Sequence, residues 1–286
     1  MLMKPDQHAV ERIVRMALLE DAPWGDLTSE ALLPSDLEIS AQLVAREEGV
    51  LCGEEVFSSA MSLTGPGSVK FRKHDSDRFS AGEVLAVLSG PARSLLKAER
   101  VALNFVQRLS GIATLTARYV AEAAGTKARI VDTRKTTPGL RLLERYAVRC
   151  GGGHNHRFSL SDALLAKDNH LAALQSSGGE ELTRKLRAAF ANLPHTTHIE
   201  VEVDRLDQIE PVLASGVDTI MLDNFSVGDL RTAVRQINGR ARVEASGGVS
   251  LDRIREIAAT GVDLISVGAL THSVRSIDLG LDFQQS

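Results

Sequence analysis

The sequence predicts an α/β protein in which a parallel barrel follows a first part of mixed helices and strands. Two observations support this fold class. After about residue 125, strands and amphipathic helices alternate, a rhythm typical of parallel sheets. Polar residues also fall at the C-terminal end of one strand after another. A barrel collects these ends on one face. An open doubly wound sheet would spread them along an edge and stays the alternative.

The first part of the chain contains a helix, three strands and a long helix. Apolar residues recur at helical spacing over 8–20, and a turn-rich stretch follows at 21–26. Strand character appears at 39–45, 68–73 and 84–88. Residues 91–119 carry a long apolar face at helical spacing. Strands that follow one another in this way are typical of an α+β arrangement.

The second part contains six predicted strands, a number that makes the barrel incomplete or smaller than the usual eight. The strands are 128–131, 163–166, 198–203, 219–222, 242–245 and 264–267, and amphipathic helices lie at 206–214, 227–237 and 251–259. Gly216 and Gly261 follow two of the helices, where glycine favours a left-handed C-terminal cap.

Composition narrows the range of partners. The chain has 286 residues, 43% hydrophobic and 24% charged, with a net charge of −4. Nucleic acids and anionic membranes favour a clear basic excess, so neither is an expected partner. No apolar run approaches the ~20 residues of a membrane span, and no secretory signal is evident. Cys52 and Cys150 are too few for a disulfide framework, and we expect a reduced, cytoplasmic protein.

Cationic side chains converge on the strand ends. They are Arg134, Lys135, His154, His156, Arg157 and Lys167. Each alone is typical of a solvated surface, but together they indicate a site for a polyanion, since arginine binds carboxylate or phosphate with two hydrogen bonds. The pair His154 and His156 could also chelate zinc. No third ligand stands at a familiar spacing, so anion binding is favoured.

Acidic residues and glycines complete the predicted site. Glu200 and Glu202 share one strand face, and Asp223 ends the next strand. These carboxylates could hold sugar hydroxyls, bind Mg²⁺ or form internal ion pairs, the last chiefly for Glu200. Loops after the final two strands contain Ser246, Gly247, Gly248 and Gly268, which favours a phosphate site.

Long motifs are spread along the chain. They are DTRKTTPGLR at 132–141, YAVRCGGGHNHR at 146–157, KDNH at 167–170, ED at 20–21 with GDLT at 25–28, ERVALN at 99–104, EVEV at 200–203, MLDN at 221–224 and EASGG at 244–248. These motifs resemble those of the quinolinate phosphoribosyltransferases, and the similarity runs almost from end to end. Phe158, Ser159 and Ala166 depart mildly from the pattern, and none of them removes a charged group.

The resemblance implies an enzyme that joins quinolinate to phosphoribosyl pyrophosphate with Mg²⁺, giving nicotinate mononucleotide, pyrophosphate and CO₂ in NAD synthesis. It implies an N-terminal α/β sandwich over 1–115, joined by the tail 273–286, and an incomplete barrel of six or seven strands over 116–272. Subunits would pair head to tail, so that Arg100 reaches the partner's quinolinate. Further assembly into hexamers stays open.

The resemblance also implies residue roles. Arg100, Arg134, His156, Arg157 and Lys167 would neutralise the two ring carboxylates, and Lys135 would meet the phosphate or pyrophosphate side of the donor. Glu202 and Asp223 would hold the ribose hydroxyls and Mg²⁺, directly or through water. Ser246, Gly247, Gly248 and Gly268 would take the 5-phosphate. The residues expected in the reaction centre are Lys135, Lys167, Glu202 and Asp223.

Three other functions stay open. A relative of the same fold is one, either the phosphoribosyltransferase-like protein encoded with molybdate transport or a transferase for nicotinate, whose single carboxylate needs fewer cations. A barrel lyase or isomerase is another, with Lys167 as a Schiff-base lysine. A non-catalytic anion-binding protein would have little need of Glu202 and Asp223.

Overall fold

The computed structural model describes residues 4–174 and 179–284 and divides the chain into two compact units. The first unit contains the residues up to Ala117, the segment Thr136–Gly152 and the residues from Leu270 on. The second contains Arg118–Lys135 and Gly153–Ala269. Residues 136–152, which the sequence analysis placed in the barrel domain, therefore lie in the first unit.

An antiparallel sheet forms the frame of the first unit. Its elements are α1 (Gln7–Asp21), α2 (Leu27–Leu32), β1 (Glu38–Ala45), β2 (Gly49–Val50), α3 (Glu54–Thr64), β3 (Ser68–Phe71), β4 (Arg78–Phe79), β5 (Val84–Pro91), α4 (Ala92–Glu122, which continues into the second unit), α5 (Arg141–Cys150) and β12 (Leu279–Gln284). The sheet order is β12-β1-β5-β3, and β2 pairs with β4. The C-terminal strand thus lies beside the first strand, with Ser40 opposite Gln284.

Local chemistry explains where several of these elements begin and end. The Asp6 carboxylate accepts the backbone N–H of Ala9 at 3.0 Å and caps α1. Asp26 caps α2 in the same way. Strand β3 ends at Phe71, two residues before the predicted end. Arg72 and Lys73 both donate to the Leu85 carbonyl, which breaks the regular ladder.

A parallel sheet of six strands forms the second unit. Its strands are β6 (Arg129–Val131), β7 (Leu164–Ala166), β8 (Ile199–Val203), β9 (Thr219–Asp223), β10 (Arg242–Ser246) and β11 (Leu264–Ser266). The helices are α6 (Asp168–Ala173), α7 (Gly179–Phe190), α8 (Ile209–Ala214), α9 (Val227–Ile237), α10 (Ile254–Ala258) and α11 (Ala269–His272, which begins at the unit boundary). The order β6-β11-β10-β9-β8-β7 contains all six predicted strands.

The parallel sheet is an incomplete barrel. β6 and β7 stand at the two ends of the strand order. His156 approaches Glu200 on β8 and Glu244 on β10, so side chains from non-adjacent strands meet on one concave face. The N-terminal domain carries a separate antiparallel sheet. The α/β fold with an incomplete barrel, expected from the sequence, is confirmed.

Some elements differ from the expectation. The predicted helices 206–214 and 251–259 each begin as a 3-10 turn, at Leu206–Gln208 and Leu251–Arg253, before α8 and α10. The helix α3 was not predicted, although its buried residues Val56, Phe57, Ala60 and Met61 follow helical spacing. None of the helices in the described ranges is long and apolar enough to cross a membrane.

Candidate active site

The predicted site residues of the second unit lie at the C-terminal ends of its strands. Arg134 and Lys135 follow β6, and Lys167 follows β7. Glu202 and Asp223 lie near the ends of β8 and β9. Ser246 ends β10 and precedes Gly247 and Gly248, and Gly268 follows β11. The parallel sheet brings these ends to one edge, which is where barrels place their chemistry.

A short segment at 154–157, the histidine loop, extends this edge next to β6. His154 pairs with Val131 in a parallel bridge. The Asp132 carboxylate accepts the backbone N–H of His156 at 2.7 Å and the side-chain amide of Asn155 at 2.6 Å. Asp132 is fully buried. It therefore fixes the direction of the histidine loop, a role that the sequence analysis did not assign, although an acid at a strand end was visible.

Two guanidinium groups lie close together beside this loop. Arg157 donates to the Ala163 carbonyl at 3.0 Å, which holds its side chain near the start of β7. Burial lowers the pKa of Arg157, and the positive charge of the neighbouring Arg134 lowers it further. The two positive charges repel each other, and a dianion bound between them would offset this repulsion. The pair suits a ligand with more than one negative charge.

His156 is held by two buried acids. Its Nε2 lies 3.1 Å from the Glu200 carboxylate and 3.5 Å from that of Glu244, while Nδ1 faces the backbone N–H of Arg157 at 2.7 Å. Burial opposes the charged ring, but hydrogen bonds and charge from the two acids outweigh it and raise the pKa of His156 to about 10. Burial raises the pKa of Glu200 as well. The two acids therefore favour the charged ring, whereas the Arg157 N–H, which donates to Nδ1, favours a neutral ring with Nδ1 as the acceptor.

The contacts of His156 decide between an internal ion pair and a zinc site. Glu200 forms the internal ion pair that the sequence analysis left open, with His156 as its partner. Within the described ranges, the metal-compatible group at this edge is His156, Glu200 and Glu244, and His154 does not belong to it. The zinc alternative built on His154 and His156 together thus lacks a common centre.

Lys167 and Glu202 form the second ion pair of the site. The Lys167 ammonium lies 3.1 Å from the Glu202 carboxylate, which is only 6% exposed, while the lysine side chain is half exposed. Glu202 stands opposite Met221 in the register of β8 and β9. Asp223, two residues further, therefore faces the same side as Glu202. Two carboxylates on one face fit the oxygen donors that Mg²⁺ prefers.

The loop after β10 makes a tight turn. Gly247 and Gly248 have φ values of +86° and +56°, which glycine adopts easily. A Cβ at Gly247 would lie 2.3 Å from the Asn224 side-chain oxygen and 2.7 Å from its backbone nitrogen. The following helix starts as a 3-10 turn and α10 has five residues, so its dipole contributes less than expected. An anion bound at this turn would therefore depend mainly on backbone N–H donors.

Two predicted residues, Arg100 and Lys135, are exposed. Arg100 is exposed on α4 in the first unit. Lys135 is exposed after β6, and its backbone N–H donates to the Thr133 hydroxyl at 3.1 Å.

Comparison with protein families identifies the chain. The family described as "Quinolinate phosphoribosyl transferase, C-terminal domain" matches residues 112–282, and the corresponding N-terminal domain matches residues 26–110. The chain belongs to the quinolinate phosphoribosyltransferase family. The family resemblance expected from the sequence is confirmed.

Relatives of known name are similar to this chain over almost its whole length. The nicotinate-nucleotide pyrophosphorylase [carboxylating] of Mycobacterium leprae is 44% identical over 290 residues, covering 99% of this chain and all of that protein. A probable enzyme of the same name from Bacillus subtilis is 42% identical over 274 residues, covering 96% and 93%. The solved nicotinate-nucleotide pyrophosphorylase of Francisella tularensis has a TM-score of 0.91 at 38% identity and covers 99% of each chain. The quinolinate phosphoribosyltransferase family is one of pentosyltransferases, as expected.

Proposed function

We propose that this chain transfers a phosphoribosyl group from phosphoribosyl pyrophosphate to quinolinate and releases pyrophosphate and CO₂, forming nicotinate mononucleotide for NAD synthesis. The observation that carries the proposal is the cationic edge of the second unit, where Arg134 and Arg157 stand beside His156, whose pKa is raised by two acids. A ligand with two carboxylates matches this charge better than one with a single carboxylate.

The acid substrate binds at the cationic edge. Arg134 and Arg157 each offer a planar pair of N–H donors to a ring carboxylate. His156 and Lys167 add positive charge, and their acidic partners keep both side chains in place. When quinolinate is bound here, these cations offset the repulsion between its two adjacent carboxylates. Its ring nitrogen is then oriented toward the donor, and orientation of this kind removes much of the entropic barrier.

The phosphoribosyl donor binds beside Glu202 and Asp223. These carboxylates accept the ribose hydroxyls and would hold Mg²⁺, which stabilises the negative charge of the pyrophosphate group when bound. The backbone of Ser246 to Gly248 and Gly268 takes the 5-phosphate. Lys135, exposed after β6, meets the pyrophosphate or 5-phosphate side.

The reaction needs no enzymic nucleophile. The ring nitrogen of quinolinate attacks C1 of the ribosyl group as the bond to pyrophosphate breaks. Cations around the leaving group stabilise the charge that develops there. The ring nitrogen is then quaternary, and it stabilises the carbanion left on the adjacent carbon when CO₂ departs. That carbon then takes up a proton from water, which gives nicotinate mononucleotide. The cationic edge mainly positions the acid.

An assay of both products tests the proposal. Purified protein is incubated with phosphoribosyl pyrophosphate, Mg²⁺ and either quinolinate or nicotinate, and pyrophosphate and CO₂ are measured. We expect both products with quinolinate. Release of neither would end the proposal, and pyrophosphate formation with nicotinate alone would favour the nicotinate transferase. Omission of Mg²⁺ tests the metal requirement separately.

Substitution of Arg157 tests the division between acid and donor sites. Arg157→Ala is expected to abolish quinolinate binding and to leave most of the affinity for phosphoribosyl pyrophosphate. Arg240→Ala is the matched control, since Arg240 lies on the surface of the same unit and pairs with Glu210. Equal loss of both affinities in the Arg157 variant would contradict the division of labour.

We also propose a head-to-tail homodimer in which Arg100 serves the site of the second copy. Arg100→Ala and Arg157→Ala are each expected to be inactive. Mixed after subunit exchange, they should recover about a quarter of wild-type activity, because half of the dimers are mixed and each of those has one intact site. No recovery in a mixture shown to contain mixed dimers would refute the exchange of Arg100. A cytoplasmic location goes with this proposal and is supported by the free thiols of Cys52 and Cys150.

A further inference from the structure

Three distant segments of the first unit bring two thiols and a carboxylate together. Cys52 lies two residues before α3, Asp75 lies in the turn between β3 and β4, and Cys150 is the last residue of α5. One sulfur from each cysteine and one carboxylate oxygen of Asp75 all lie within 4.8 Å of one another. None of these residues belongs to the site described above.

The fold fixes the positions of these three side chains. Cys52 is fully buried and Cys150 is 4% exposed. The backbone N–H of Cys52 donates to the Ser110 hydroxyl at 3.0 Å. The neighbouring residue Leu51 exchanges two backbone hydrogen bonds of 2.9 Å with the turn that carries Asp75. Asp75 itself is only partly buried, which leaves a route from solvent to the cluster.

The Asp75 carboxylate is held by hydrogen bonds from N–H and O–H donors. It accepts the backbone N–H groups of Gly53 at 2.7 Å and Glu54 at 3.2 Å and the Tyr146 hydroxyl at 2.8 Å. Across residues 4–174 and 179–284, its carboxylate forms no ion pair with Lys, Arg or His within 4.0 Å. Burial raises the pKa of Asp75, and the nearby charge of Glu54 raises it further.

The Cys52 thiol is also buried. Burial raises the pKa of Cys52 far above its usual value, and its hydrogen bond with Cys150 raises it further. A bound divalent cation reverses this preference, because metal coordination deprotonates a thiol outright. Each thiol that coordinates then releases its proton to solvent.

We propose that Cys52, Asp75 and Cys150 form a binding site for a thiolate-preferring divalent cation of the Zn²⁺ class. Two sulfurs and one carboxylate oxygen are ligands that Zn²⁺ accepts, and a water can complete a tetrahedron. Mg²⁺ avoids sulfur ligands, so the site is chemically separate from the one proposed at Glu202 and Asp223. The bound ion joins three segments that are far apart in the chain. It fixes Cys150 directly before the glycines that lead to the histidine loop.

Cobalt substitution tests the site. Reduced, metal-stripped protein is titrated with Co²⁺, whose bonds to thiolates give charge-transfer absorption that oxygen-only sites lack. We expect one Co²⁺ with two thiolates per chain, and displacement of the cobalt by Zn²⁺. In Cys52→Ala the thiolate absorption per bound Co²⁺ should fall to about half. Ser59→Ala is the matched control, since Ser59 is a small buried polar residue of the same unit outside the cluster and should change nothing.

Several results would overturn the proposal. These are absence of thiolate absorption in the reduced protein, equal absorption in wild type and Cys52→Ala, or a Cys52–Cys150 disulfide in protein purified without reductant. Should Cys52→Ala not fold, Asp75→Asn retains both thiols and close to the same volume. It should weaken Co²⁺ binding by about tenfold or more while keeping the thiolate absorption. Unchanged affinity in that variant would contradict a role for the carboxylate.

Discussion

Replacement of Glu244 by glutamine is expected to lower the pKa of His156. In the wild type, burial works against the charged ring, while Glu200 at 3.1 Å and Glu244 at 3.5 Å together raise its pKa from 6.5 to about 10. Each pKa unit corresponds to about 1.4 kcal/mol, so the two acids outweigh burial by about 5 kcal/mol. Glutamine keeps the shape of the side chain and removes one of the two charges.

The expected change is a fall of about one to two pKa units, the usual effect of one opposite charge at this distance. The sign is fixed by the linkage between charge and folding. A histidine whose folded pKa lies above its unfolded value contributes stability that is complete below about pH 6.5 and is lost as the pH rises toward its folded pKa. In Glu244→Gln that loss should begin at a lower pH.

Nitrogen-15 spectra of the histidine rings, recorded across this pH range, measure the titration directly. The signal of His156 is assigned from its absence in His156→Asn. Ser266→Ala is the control, because it removes the hydrogen bond from the Ser266 hydroxyl to Glu244 and leaves both charges in place. The reasoning is refuted if His156 titrates near 6.5 in the wild type, or with the same midpoint in Glu244→Gln.

Three further substitutions test other parts of the site. Lys167→Met leaves the buried Glu202 carboxylate without its cation and should lower kcat/KM by about 100-fold or more. A change below threefold would contradict a role for Lys167 in the reaction centre. Asp132→Asn loses one acceptor for the histidine loop and should cost about 1–3 kcal/mol in urea unfolding, so unchanged stability would exclude that anchoring role. Gly247→Ala must accept a φ of +86° and a contact with Asn224. Steady-state kinetics should show a larger rise in KM for the phosphoribosyl donor than for the acid. Equal changes in the two KM values would argue against a phosphate loop.

The barrel was predictable because its signals are local. Strand and helix periodicity located all six parallel strands to within a residue or so at each end. Gly216 and Gly261 have φ values of +88° and +92°, as expected for glycines just past helix ends. Polar residues that follow successive strands come together in space because parallel strands end at the same edge of the sheet.

The pairing inside the site was not predictable in the same way. Which acid meets His156 depends on the strand order, because Glu200 and Glu244 come from β8 and β10 with β9 between them. The role of Asp132 depends on the path of the histidine loop, which no periodicity describes. The function of Arg100 stays a prediction, since it rests on a second copy of the chain.

The pairing of the last strand with the first has a consequence for biosynthesis. β5 and β3 complete one side of the sheet beside β1 as soon as Pro91 has been made, whereas β12 covers the other side only after Leu279–Gln284 has been made. At about 5–20 residues per second, the interval is of the order of tens of seconds. Throughout it, the nascent chain carries an open strand edge that can pair with another chain. Chaperone dependence in the cell is therefore expected to arise from the N-terminal sheet rather than from the barrel.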